Sequence, residues 1–146
     1  MMRIARIVLS LLLFFMLETS ATSLARADVV VIVAANAPVN GLSAAQVADI
    51  FLSKSGTFPD GAVVVPIDQA DGSAIRTEFY TKAIGKTPEL LKAYWSKMIF
   101  TGQGEPPREL ADSEKIKKLV ANNPHYIGYI DRSSVDASVK IVMVVH

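Results

Sequence analysis

The chain has 146 residues, with fifteen Lys and Arg against fourteen Asp and Glu, two His, one Trp and no Cys. That balance gives no electrostatic footprint for a nucleic acid. The absence of Cys excludes disulfides and thiol catalysis, and two distant His without a carboxylate cluster argue against a metal site.

Residues 1–27 read as a secretory signal peptide. Arg3 and Arg6 form a basic start, Ile7 to Leu17 is an apolar run broken only by Ser10, and Ala25-Arg26-Ala27 is a small-x-small cleavage site. The apolar run is about half the ~20 residues that a spanning helix needs, so cleavage after Ala27 is expected rather than a membrane anchor. The remaining residues, 28–146, suffice for one domain with one core. The leader takes three basic residues and one acidic residue, which leaves that domain near neutral and slightly acidic.

Residues 28–34 form a short, continuous apolar run rich in β-branched residues, which predicts a strand buried on both faces, as in a parallel sheet. A loop over 36–41 leads to Ser43, a good N-cap, with Gln46 completing a capping-box pattern. Val47, Ile50 and Phe51 then share one helical face. Turn residues over 54–61 precede a second strand, Val63 to Ile67. A helix is predicted from Ser73 to about Ile84, stopped by Gly85. A third runs from Thr87-Pro88 to about Ile99, with Pro at the first helical position and Leu91, Tyr94, Trp95 and Met98 inward. The Gly- and Pro-rich run 101–107 is a loop. Asp112 or Ser113 caps a fourth helix ending near Ala121. Strands follow at 126–130 and 139–145, with Gly128 placed to permit a close helix contact. Strands alternating with helices predict an α/β domain with a mostly parallel sheet flanked by helices.

Asp71-Gly72-Ser73 lies between the second strand and its helix. Asp71 or Ser73 can cap the helix. The same free N–H groups, with the positive end of the helix dipole, can hold a carboxylate, phosphate or sulfate. Gly72 admits close approach to the backbone, Ser73 adds a hydroxyl, and Arg76 stands one turn into the helix. Taken by itself the pattern leaves both readings open. Ser73 lacks a nucleophile elbow and an adjacent base, so no catalytic residue is assigned.

Three stretches in order, G-L-S-A-A-Q-V-A-D-I-F-L (41–52), V-V-P-I-D-Q-A-D-G-S-A-I-R-T-E-F (64–79) and N-P-H-Y-I-G-Y-I (123–130), resemble the phosphate-binding proteins of ABC transporters. The resemblance implies a type II periplasmic-binding-protein fold, here as a single lobe of a normally two-lobed receptor. It implies that Ser73 matches the family's phosphate-binding serine, and that Asp71 and Gly72 match the turn that shapes the loop. It also marks departures: Gln69 stands where the family has a phosphate-clamping Arg, Ala74 replaces a Gly, and Ile75 replaces a Thr that contacts the ligand. Arg76 is the candidate to compensate for Gln69.

The expected function is therefore a periplasmic, non-enzymatic module that binds phosphate or a similar small oxyanion without a metal or other cofactor. Its candidate ligand-binding residues are Gln69, Asp71, Gly72, Ser73, Ala74 and Arg76. A one-sided site leaves the anion partly hydrated, so tight binding needs a second surface, from a homodimer or a partner protein such as an ABC permease. The alternative is an interaction module of the cell envelope that keeps the fold and has lost the ligand.

Overall fold

The computed structural model describes residues 28–146. The signal-peptide expectation for 1–27 lies outside the described residues. In chain order the elements are β1 (Val29–Ala34), α1 (Ala44–Phe51), β2 (Val65–Gln69), α2 (Ala74–Phe79) continued by a π-helical turn (Tyr80–Ile84), α3 (Pro88–Phe100), β3 (Arg108–Leu110), α4 (Ser113–Ala121), β4 (Tyr126–Asp131) and β5 (Val139–Val144). The strands form one sheet in the order β3-β2-β4-β1-β5. β2 pairs parallel with β3 and β4, while β1 pairs antiparallel with β4 and β5. Four strands thus point one way, and β1 alone runs against them.

All six residues of β1 are buried. Val29, Val31 and Val33 enter the larger core, beneath α1, α2 and α3. Val30 and Ile32 enter the smaller core with Ile116 and Val120 of α4. Helices on both faces explain the uninterrupted apolar run, since neither face of the strand meets water. The expectation of double burial holds. The expectation of parallel neighbours for this strand does not, because β-branched burial signals coverage of both faces and carries no direction.

Local chemistry sets the helix ends. Ser43 accepts from the Gln46 N–H, and the Gln46 side chain accepts from the Ser43 N–H, closing the capping box. Thr87 accepts from the Leu90 N–H ahead of Pro88. Asp112, rather than Ser113, caps α4 through the Lys115 N–H. Gly85 ends the helical stretch at φ 77°, a left-handed position that glycine adopts without strain. In the larger core Phe79 stacks on Tyr129 at 3.9 Å between ring centres, and Phe51 meets the edge of Phe79 at 4.9 Å. This cluster locks α1 and α2 onto β4 and so fixes the start of α2 at the carboxyl end of β2. No helix among the described residues is long and apolar enough to cross a membrane.

Candidate functional site

β2 leaves the sheet at Gln69, and Asp71-Gly72-Ser73 turns the chain into α2. Gly72 has φ 83°, and no atom comes within 4 Å of where a Cβ would stand. The turn is therefore open to solvent at a position that favours glycine. Asp71 is exposed, and its Oδ1 accepts from the Gly72 N–H at 3.0 Å. The Ser73 Oγ caps α2 by accepting from the Arg76 N–H at 3.3 Å. Among the described residues nothing accepts from the backbone N–H groups of Ala74 and Ile75. The turn thus offers two free amide donors and a hydroxyl on one small surface.

Gln69 lies beneath this turn, 2% exposed. Its Nε2 donates to the Ser113 Oγ at 3.1 Å and to the Tyr129 carbonyl at 3.2 Å, and its Oε1 accepts from the Ser73 Oγ at 2.8 Å. Every polar atom of the side chain is engaged. Gln69 joins the turn to α4 and β4 and faces inward, while Asp71, Gly72 and Ala74 face outward.

Arg76 lies three residues past Ser73 in α2. Its guanidinium donates to Glu109 Oε1 at 2.6 Å and to the Gln69 carbonyl at 3.2 Å, and stands 3.8 Å from Asp68 Oδ2. It also lies 5.7 Å from the centre of the Tyr80 ring. Both hydrogen bonds come from one guanidinium nitrogen, and two carboxylates, Glu109 and Asp68, compete for its charge. It holds β2, β3 and α2 together, and little of its charge is left for an outside anion.

Asp68, next to Gln69, is a buried carboxylate that sequence reasoning missed. It accepts from the Tyr129 hydroxyl, from the Tyr80 hydroxyl at 2.7 Å and from the Gln69 N–H at 2.9 Å. Burial pushes its pKa above the ordinary 3.8, although both tyrosines and Arg76 pull it down. The Tyr80 and Tyr129 phenols are held far above their usual range, first by burial and then by the Asp68 charge. The signal was present in the sequence: an Asp inside an apolar strand is seldom fully buried unless paired, so it calls for partners from elsewhere in the chain.

Beside the turn runs a groove of about 520 Å³ between α2, α3 and residues 106–109. Tyr80, Leu91 and Trp95 floor it, Ile99 and Pro106 wall it, and Asp71 and Arg76 form the end that meets the turn. The Trp95 indole N–H is buried and has no partner among the described residues. The 101–107 loop does not contribute Gly102 to this groove. The His125 ring meets the Val63 carbonyl at 2.9 Å. Among the described residues no three His, Cys, Asp or Glu side chains gather as metal ligands.

No family model and no curated protein matches the chain. Solved structures do, and their class is the periplasmic-binding-protein fold. A Clostridium perfringens protein described as a phosphate ABC transporter substrate-binding protein, solved with bound phosphate, superposes at TM-score 0.63 with 30% identity, over 79% of this chain and 44% of its own. An ABC-type phosphate transport receptor from Vibrio cholerae matches at TM-score 0.63 and 18% identity, over 80% of this chain and 45% of its own. PstS from Borrelia burgdorferi matches at 0.59 and 13%, over 79% and 46%. The chain is thus similar to phosphate ABC transporter substrate-binding proteins, and it spans under half of their length, as a single-lobe form does. These relatives are binding proteins.

Proposed function

We propose that the chain is a periplasmic binding module, not an enzyme, that takes phosphate or a similar small oxyanion at the start of α2. The observation that carries this reading is the pair of free N–H groups at Ala74 and Ile75 beside the Ser73 hydroxyl, in a chain 30% identical to a protein solved with phosphate. Asp71 and Gly72 shape the turn, and Gly72 leaves its outer side clear. Gln69 acts from below as a positioning residue, holding the Ser73 Oγ. Binding is weak, because the anion sits on one surface in reach of water and salt.

A second reading, an interaction module of the cell envelope without a ligand, draws on a specific observation. Arg76 is committed to Glu109, and Asp71 and Glu109 put negative charge beside the turn.

Titration calorimetry of the exported protein with phosphate and sulfate at two salt concentrations separates the two. The anion reading expects weak binding that falls as salt rises. It also expects Ser73→Ala to lower affinity about tenfold, the worth of one hydrogen bond to a charged group. Absence of heat with either anion at millimolar concentration gives preference to the interaction module.

A further inference from the structure

Three of the large apolar side chains most exposed among the described residues, Leu90, Ile99 and Phe100, belong to one helix, α3. Phe100 is 92% exposed, which is unusual for a phenylalanine in a folded domain. Helical spacing puts it on the stripe of Glu89 and Ser96, and both of these line the groove. Its neighbour Ile99 is 57% exposed and walls the same groove. A free aromatic knob therefore stands at the lip of an aromatic-floored hole.

We propose that α3 and this groove form a self-association surface: Phe100 of one copy enters the groove of a second copy, and the reverse. A knob and a hole side by side on one helix suit a two-fold pair, in which the same patch serves both subunits and the contact closes on itself. The charges agree with that occupant. α3 begins with Glu89 and carries Lys92 and Lys97 further along, so two copies crossing antiparallel bring an acidic helix start toward a basic helix end. Neither lysine is in an ion pair among the described residues. Because Asp71 and Arg76 line one end of the groove, the second copy lies over the edge of the Asp71-Gly72-Ser73 turn and adds a wall there. The association itself stands whether or not the turn binds an anion.

Trp95 is the one Trp of the chain, so its fluorescence reports on the groove directly. The protein is to be made from residues 1–146, purified from the periplasm of a Gram-negative host, and studied in phosphate-free buffer. Sedimentation equilibrium is expected to show a monomer–dimer equilibrium, and Trp95 emission should shift over the same concentration range. Phe100→Ser should raise the dissociation constant at least about tenfold, as loss of a central aromatic anchor does, with the melting temperature of the monomer unchanged. Ser96→Arg, which crowds the groove from its wall, should weaken the dimer as well. A monomer at every concentration up to millimolar overturns the proposal, as does a dimer whose constant neither variant changes.

Discussion

Asp68 and Gln69 are neighbours in β2, and both are buried, yet they answer to different chemistry. Gln69 is neutral and fully hydrogen-bonded, so it links the turn to α4 and β4 without a charge to desolvate. Arginine at this position would have to place its guanidinium where Ser113, Tyr129 and Ser73 now close around the amide, and such overpacking and lost pairing are costly. Gln69 thus comes with its own closed set of contacts beneath the turn. For Asp68, burial makes the charged form costly. Its pKa in the folded chain lies above the ordinary 3.8, so the folded state holds the proton more tightly than the unfolded state. The stabilisation this linkage gives is complete below the unfolded value and is lost as pH rises through the raised folded value. Urea unfolding of the wild type and of Asp68→Asn between pH 7 and pH 4 isolates the effect. The wild type should gain stability relative to the variant as pH falls, by at most about 1.4 kcal/mol per pH unit for one proton. A difference that stays flat, or that shrinks toward acid, would sink the assignment.

At the scale of elements, the parts with local signals were legible and the parts set by distant contacts were not. The cap at Ser43, the helix start at Thr87-Pro88 and the stop at Gly85 could be read, and the caps of α2 and α4 narrowed to Asp71 or Ser73 and to Asp112 or Ser113, because each depends on residues within one turn. β3 could not, because Arg108–Leu110 is a strand only through its parallel pairing with β2, and its own residues alternate no apolar face. The π-helical turn after Phe79 likewise has no pattern of its own. It coincides with Tyr80, whose hydroxyl reaches the buried Asp68. The direction of β1 was hidden for the reason given by its burial. Of the site, the turn and its serine were visible, while the Asp68–Tyr80–Tyr129 group and the inward set of Gln69 depend on contacts between residues up to 61 positions apart. Gly128 is a position where a residue-level hint became an element-level fact. A Cβ there would come within 2.6 Å of Ile116 Cγ2 and 3.3 Å of Val120 Cγ2, both on α4. The packing of the Ile116 and Val120 side chains of α4 onto the β4 backbone thus requires glycine. Gly128→Ala should push α4 off the sheet and lower the unfolding free energy by about 1–3 kcal/mol, measured by urea denaturation. Stability equal to the wild type would mean that α4 shifts freely.

For the whole molecule, the boundary that matters is the one before β1. Asp28 is the last residue ahead of the strand, and its carbonyl accepts from the Arg132 N–H at 2.7 Å. Val29 is buried, and β1 pairs on both sides, with β4 and with β5. A chain cut after Ala27 keeps Asp28 and every residue of both cores. A chain cut a few residues later loses the strand that joins β5 to the rest of the sheet and feeds apolar side chains into both cores. The cleavage site read from Ala25-Arg26-Ala27 therefore falls at the last place compatible with the fold, which supports export with processing after Ala27 as our proposal for the first 27 residues. The exported protein should begin at Asp28 by N-terminal sequencing. Its melting curve should be cooperative. A form engineered to begin at Ile32 after the same leader should be degraded or fail to fold, since burial of Val29, Val30 and Val31 contributes on the order of 1.5–3 kcal/mol each, against a typical total of about 5–15 kcal/mol. A membrane-bound chain still carrying Met1 would overturn the processing assignment, and a stable form starting at Ile32 would show that β1 is not the strand on which the sheet depends.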